Sequence, residues 1–178
     1  MRHILLHAAW VLASVLGSGY AQARCIAYGP APGETDPVKA EVRHALSTSA
    51  AVFLGHVTAM EYVPVHTERG NGEMLVIRMA ARTWWKGTGS QEVRLNTVNY
   101  RYPDGITSSE AHEYEYRPGK TYLVYASADG EGLRANTCTR TRPVDTAAND
   151  IAVLDALKSE SPTAPHTASS PPSPAAPR

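Results

Sequence analysis

Residues 51–85 read AVFLGHVTAMEYVPVHTERGNGEMLVIRMAARTWW, and this stretch decides the fold. It contains two runs in which apolar residues occupy alternate positions, Ala51–Tyr62 and Met74–Trp85. Such alternation indicates strands, each with one apolar face. Polar residues and glycines at positions 68–72 separate the two runs. The stretch therefore predicts an antiparallel β-hairpin.

The second run ends in two neighbouring tryptophans, which alternation assigns to opposite faces of the strand. The apolar positions 75, 77, 79 and 81 share a face with Trp85, so we expect Trp85 in the core. Trp84 then lies on the other face, where it is the better candidate for contact with a partner.

Three further strands are predicted after the hairpin. Apolar and polar residues alternate over residues 92–97, and Thr121–Ala126 is a short apolar run. Asp129-Gly130 is a typical hairpin turn and leads into Glu131–Cys138. The polar stretch between residues 99 and 118 is predicted to be a loop or a short hairpin.

A helix is predicted on each side of the strands. Asp36 before Pro37 is a helix start signal, and Asp145 is a good N-cap for a final amphipathic helix with a buried stripe through Leu154. The chain is therefore predicted to be mainly β: a five-stranded barrel rather than a sandwich, with an N-terminal and a C-terminal helix.

The start of the chain is predicted to be a cleaved export signal, residues 1–23. Arg2 precedes the largely apolar run Ile4–Leu16, and Ala21-Gln22-Ala23 fits the small-x-small cleavage pattern. This run is shorter than the roughly 20 residues that a membrane-spanning helix needs. We therefore expect a secreted or periplasmic protein without a membrane span.

Composition divides and constrains the mature chain. Residues 24–158 have the size of one domain, and residues 159–178 consist mostly of Pro, Ser, Ala and Thr, which predicts a disordered tail. The full chain has 17 basic and 17 acidic residues. Loss of Arg2 leaves 16 against 17, a net charge of −1, which argues against a nucleic-acid partner.

The chain has two cysteines, Cys25 and Cys138. In an oxidising compartment such a pair tends to form a disulfide, which here would tie the first mature residues to the far end of the fold. A purely structural bond is one interpretation, and a bond that directs the N-terminus toward a partner is another. A free nucleophilic thiol is a third interpretation, although the sequence identifies no base for it.

No residue pattern predicts catalysis, a metal site or a cofactor. The sequence lacks the nucleophile-elbow, zinc-protease and phosphate-loop motifs, so we expect no enzyme activity. A site formed by His56 and His66 is one interpretation, but two histidines do not complete a zinc site, so we interpret them as surface or sheet histidines. Glu110, Glu113 and Glu115 are interpreted as a solvated charge run.

Four tyrosines flank the polar stretch: Tyr100, Tyr102, Tyr114 and Tyr116. Tyrosines in such positions stack across hairpins and stabilise sheets, or they form a recognition surface because they are large, stiff and amphipathic. Both interpretations remain open at this point.

Several segments, taken in order, resemble one family. The family is that of bacterial netrin-like (NTR) domains. Their first strand is similar to residues 51–57 (AVFLGHV), and their "W-K-G" is similar to Trp85-Lys86-Gly87. Their "G-x-x-Y-L-V-Y-A" strand resembles residues 118–126 (PGKTYLVYA), and their "C-x-R-T-R-P" ending resembles residues 138–143 (CTRTRP). The tissue inhibitors of metalloproteinases share this fold. The resemblance covers about residues 25–158.

The resemblance implies an OB-type closed barrel whose N-terminal segment is fixed by disulfides. Bacterial members usually begin C-x-C and carry another cysteine before the "G-x-x-Y-L-V-Y" strand. This chain lacks both of these cysteines, which is the pattern expected if one disulfide of the family is absent. The resemblance then implies that Cys25 and Cys138 form the other disulfide. In the animal inhibitors, the amine and carbonyl of an N-terminal cysteine chelate the protease zinc.

These observations predict a non-catalytic module that binds another protein through its N-terminal segment and barrel-edge loops. The candidate partner-binding residues are Arg24, Cys25, Ile26, Trp84, Tyr100 and Tyr102. One alternative is a metalloprotease inhibitor that chelates zinc through the mature N-terminus, although cleavage after Ala23 leaves the amine on Arg24. Another is a glycan-binding OB domain of the cell envelope.

Overall fold

The computed structural model describes residue 25, residues 35–130 and residues 132–160. The strands are β1 (Ala51–Thr67), β2 (Gly70–Lys86), β3 (Glu92–Arg101), β4 (Thr107–Ser108), β5 (Thr121–Asp129), β6 (Gly132–Arg134) and β7 (Arg142–Pro143). The helices are α1 (Pro37–Thr48) and α2 (Ala148–Glu160), and a 3₁₀ helix (Val144–Thr146) precedes α2. The prediction of a mainly β fold with two helices is confirmed.

The hairpin of β1 and β2 is confirmed and is longer than predicted. Its pairing runs from Val52 opposite Lys86 to Thr67 opposite Gly70, so the turn contains only residues 68 and 69. Gly70 has φ +114°, a value that a residue with a side chain rarely adopts. The glycine therefore lets the two strands pair up to the turn.

The strand pairings form a ring. β1 pairs with β2 on one side and with β5 on the other, and β2 also pairs with β3. β6 joins β3 to β5, although its parallel contact with β3 is a single pair, Leu95 opposite Leu133. The short β4 pairs antiparallel with the end of β3 and forms the short hairpin that was one of the two predictions for this stretch. β7 pairs with β5, which was not predicted.

Both faces are largely buried over residues 51–57 of β1 and 122–126 of β5, so the described part of the chain has two apolar clusters. The larger cluster joins β1, β2, β3 and β5 through side chains such as Phe53, Ile77, Leu95 and Val124. In the second cluster Val52, Leu123 and Tyr125 pack against α1 and α2. The helices therefore cover the outer face of the β1–β5 pair.

The predicted faces of the two tryptophans are wrong. Trp84 packs with the larger cluster, with its ring centroid 4.7 Å from that of Phe53, whereas Trp85 packs with the second cluster. The pairing shifts between Leu54 and Gly55 and again between Val52 and Phe53. The first shift leaves Arg82 as an extra β2 residue, which reverses the alternation and places Trp84 opposite Phe53. Trp85 is itself the extra residue of the second shift.

The two helices differ in how well their starts were predicted. The Asp36 carboxylate accepts hydrogen bonds from the backbone N–H of Val38 and Lys39, which confirms the first cap. Asp145 lies in the 3₁₀ helix instead of capping the final α-helix, which begins at Ala148, two residues later than predicted. Neither helix in the described residues has the length and apolar character that a membrane crossing requires.

The remaining segment predictions differ in their outcome. β6 contains three residues rather than the predicted run to Cys138, because the chain turns over residues 137–140. α2 continues to Glu160, two residues into the predicted tail. The predicted signal peptide, residues 1–23, and the tail from residue 161 lie outside the described residues.

Candidate functional site

The predicted disulfide between Cys25 and Cys138 is confirmed, with the two Cα atoms 5.2 Å apart. Both cysteines are exposed. The backbone N–H of Cys138 donates to the side-chain oxygen of Asn136 at 2.9 Å, and the Thr139 hydroxyl donates to the Asn136 carbonyl at 2.9 Å. Asn136 thus holds the turn that presents the disulfide.

A cleft of about 460 Å³ lies beside this bond, and we call it the disulfide cleft. One wall is α1, and the other is the turn at residues 137–140. Residues of both walls, together with Cys25, Ser127 and Arg142, line it. The N-terminal attachment point and a concave surface are therefore next to each other.

A buried ion pair supports the wall formed by the turn. The Arg140 guanidinium donates from Nε to Asp150 Oδ2 at 2.7 Å and from Nη2 to Asp150 Oδ1 at 3.0 Å, and it also pairs with Glu41 of α1. Asp150 is 1% exposed. Arg142 Nη1 lies 3.7 Å from Asp150 Oδ1. One carboxylate therefore connects the turn, β7 and α2.

The electrostatics of this network favour the charged form of Arg140. Burial lowers the pKa of the guanidinium, but the hydrogen bonds and charges of Asp150 and Glu41 together raise it by more. The pKa therefore lies above its ordinary value. The neighbouring Tyr125 hydroxyl has a raised pKa, because of burial first and the Asp150 charge second. The network thus holds Arg140 in its charged form.

Arg140 also has an unusual backbone conformation. Its φ is +65°, and it is the single non-glycine residue with positive φ in the described ranges. Such a residue costs free energy and persists when surrounding contacts impose it. The contacts that impose it here are the ion pair and the double hydrogen bond of Thr141, whose hydroxyl binds the backbone N–H and C=O of Tyr125.

The structure does not gather the predicted partner-binding residues into one patch. Cys25 lines the disulfide cleft, but Trp84 lines a different cleft of about 620 Å³ and Tyr102 lines a third. Arg24 and Ile26 lie outside the described residues. Whether Trp84, Tyr100 or Tyr102 contacts a partner stays a prediction.

Tyr102 has a clear packing role at the far end of the hairpin. Its ring covers Gly72, where an added Cβ would lie 3.0 Å from the ring atoms, and its hydroxyl is 3.3 Å from Thr67 Oγ1. The Arg69 guanidinium lies 5.1 Å from its ring centroid. Tyr100, by contrast, is half-buried within β3, and burial raises its pKa.

The interpretation of the histidines is confirmed, and that of the acidic run is corrected. His56 and His66 both lie in β1, ten positions apart. His56 Nδ1 lies 3.1 Å from Thr121 Oγ1 and His66 Nδ1 lies 2.9 Å from Asn71 Oδ1, so they are sheet histidines with separate partners. The acidic run is not uniformly solvated, because Glu113 is half-buried and accepts a hydrogen bond from the Val98 N–H at 3.1 Å.

Sequence reasoning missed the Arg140–Asp150 pair. The sequence signal was the position of Asp150, which falls between Ala147 and Leu154 on the apolar stripe of the last helix. A carboxylate at such a position requires a buried partner. The alternating Thr139-Arg140-Thr141-Arg142 segment offered two cations for this role.

Among the described residues, no group of three or more histidine, cysteine or acidic side chains is arranged to hold a metal ion. Comparison with known proteins adds no assignment, since no protein-family model and no curated protein sequence matches this chain.

Proposed function

We propose that this protein is an exported, non-catalytic protein-binding module of the kind that netrin-like domains and tissue inhibitors of metalloproteinases represent. Its contact surface is the N-terminal segment together with loops at the edge of an OB-type closed barrel. The observation that carries the proposal is the attachment of exposed Cys25 to exposed Cys138 at the rim of the disulfide cleft.

The rim of the cleft is held in place before any partner binds. Arg140 is fixed to Asp150 and Glu41, and Thr141 is fixed to the backbone of Tyr125. A surface that is ordered in advance loses less conformational entropy on association. This rigidity supports a role in recognition, with the disulfide aligning the start of the mature chain beside the cleft.

Photo-crosslinking in the export compartment tests this function. A photoreactive phenylalanine analogue replaces Thr48, Ser127 or Thr137, which are exposed and line the cleft. Ala152 and Ala156, which are exposed on α2, are the matched controls. We expect one discrete adduct from the cleft positions and none from the controls. Equal adducts from both sets, or none from the cleft, would contradict the proposal.

Metalloprotease inhibition is the second candidate, and the exposed, tethered position of Cys25 favours it. Zinc chelation needs a free amine on the first residue beside the tether. Sequencing of the exported protein without reductant decides whether Arg24 or Cys25 is first. Preparations that start at each residue are then assayed against zinc proteases, with an N-acetylated preparation as control. Inhibition that acetylation leaves unchanged would exclude chelation by the amine.

A further inference from the structure

A separate cavity of about 370 Å³ lies where residues 109–117 cross β1, β2 and β3, and we call it the loop cavity. Met60, Leu75 and Ile77 form its apolar wall, and Glu113 and Tyr116 are on the loop side. It shares no lining residue with the disulfide cleft. Its volume lies within the range of small-molecule sites.

Two oxygens of this lining are buried without a hydrogen-bond partner in the described residues. They are Oε1 of Glu113 and the hydroxyl oxygen of Tyr116. Tyr116 is only 6% exposed. The second oxygen of Glu113 is already occupied by the Val98 N–H. Buried polar atoms are normally paired. The Glu113 oxygen needs a donor and the Tyr116 oxygen is able to accept from one, so the lining favours a ligand with more than one hydrogen-bond donor.

The charges and rings around the cavity favour a cation. Glu110, Glu113 and Glu115 line it together with one cationic side chain, Arg117. Arg134, outside the lining, lies 3.9 Å from Glu110, so the acidic groups still outnumber the cations. The rings of Tyr114 and Tyr116 lie together, with centroids 4.8 Å apart, and aromatic faces attract cations. Burial raises the pKa of the Glu113 carboxyl, against the opposing effects of the Val98 hydrogen bond and the Arg134 charge, as expected of a carboxylate withdrawn from water.

The walls are formed in advance. The Glu113 N–H donates to the Glu110 carbonyl at 3.1 Å, and the Thr137 N–H donates to the His112 carbonyl at 2.8 Å. Glu113 also forms a β-bridge with Asn136. The Arg117 N–H donates to the Tyr122 hydroxyl at 2.9 Å. The loop is thus attached to the segment after β6 and to β5.

We propose that the loop cavity binds a primary alkylammonium group, presented by a small free amine or by a lysine side chain of a partner. An ammonium group has three N–H donors and no acceptor, so it can donate to both Glu113 Oε1 and the Tyr116 oxygen. Its alkyl chain packs on Met60, Leu75 and Ile77. A quaternary ammonium group has the charge but no donor and satisfies neither oxygen.

Calorimetric titration of the full chain tests this assignment. The probes are n-butylammonium chloride, butyltrimethylammonium chloride and n-butanol, together with the peptide acetyl-Gly-Lys-Gly-amide. We expect the primary ammonium to bind at least about tenfold more tightly than the quaternary ion, because a hydrogen bond to a charged group is lost. Butanol is expected not to bind. Binding of the peptide as well as butylammonium would identify a lysine receptor, and binding of butylammonium alone a free-amine site.

Variants separate this site from a structural role. Glu113→Gln is expected to weaken butylammonium binding by about tenfold or more, and Glu68→Gln, an exposed matched control in the hairpin turn, to leave it unchanged. Tyr116→Phe is expected to weaken binding while raising the midpoint of urea unfolding, because it removes an unpaired buried hydroxyl. If neither primary ammonium probe binds, or if Tyr116→Phe lowers the midpoint as loss of a water-bonded hydroxyl would, the proposal is overturned.

Discussion

Arg140 and Asp150 form a two-pronged ion pair, with N–O distances of 2.7 and 3.0 Å, between the turn that carries Cys138 and the first turn of α2. The Arg140 side chain is 15% exposed and that of Asp150 is 2% exposed. This pair links the disulfide cleft to the helical layer. The stability of the cleft therefore depends on a contact between residues ten positions apart.

Asp150→Ala is expected to lower the free energy of unfolding by about 3 kcal/mol, because breaking a buried ion pair leaves its partner uncompensated. Urea denaturation monitored by circular dichroism measures the change. Asp145→Ala, at an exposed position of the 3₁₀ helix, is the control and is expected to change the free energy of unfolding by less than about 0.5 kcal/mol. Equal effects would mean that the pair does not stabilise the fold.

Arg140→Gly is expected to be more stable than Arg140→Ala by about 1 kcal/mol. Both variants lose the contacts with Asp150 and Glu41, but glycine adopts the observed φ of +65° without strain. The difference between the two urea midpoints measures the cost of holding a residue with a side chain in the left-handed backbone conformation. If alanine were the more stable of the two, position 140 would not have the left-handed conformation.

The disulfide is expected to contribute about 2–4 kcal/mol to the free energy of unfolding. It joins residues 113 positions apart, so its loss releases a long loop in the unfolded chain. The variant Cys25→Ser/Cys138→Ser, compared with oxidised wild type by thermal and urea unfolding, measures this contribution. Reduced wild type should match the double variant, and a reduced protein as stable as the oxidised one would refute the prediction.

Gly87→Ala is expected to destabilise the protein more than Gly89→Ala. Gly87 has φ +117°, and an added Cβ would lie 2.6 Å from the Trp84 ring. Gly89 has φ +73° and no atom within 4 Å of the added Cβ, so its substitution incurs only a backbone cost of about 1 kcal/mol. The near-ultraviolet circular dichroism of Trp84 should change only in Gly87→Ala.

Glu113 is expected to make the protein less stable as pH rises. Burial raises its pKa in the folded protein above the usual 4.5, which we take for the unfolded chain. At a pH between the unfolded and the folded pKa, the folded state retains a proton that the unfolded state has lost. The stabilisation is complete below the unfolded pKa and is lost as pH rises through the folded pKa. Unfolding of wild type and Glu113→Gln from about pH 4 to pH 7 measures this as a difference that grows with pH. A constant difference would contradict it.

The predictions that held were local. Alternation identified the hairpin, and the capping residue Asp36 identified the start of α1. The faces of Trp84 and Trp85 were predicted wrongly because two bulges in β2 change the alternation. Bulges depend on how two strands fit together, and a single strand's pattern does not contain that information.

The sequence by itself determined the mainly β character, the order of its principal elements and the pairing of the only two cysteines, because each depends on periodicity, capping or composition. Only the tertiary structure decided which charged and polar groups are buried. Asp150 becomes a buried ion-pair partner because the turn places Arg140 beside it, and Glu113 and Tyr116 become unpaired oxygens of one cavity because the loop packs over β3. These contacts join distant segments, and the burial of a polar group follows from packing rather than from its neighbours in sequence.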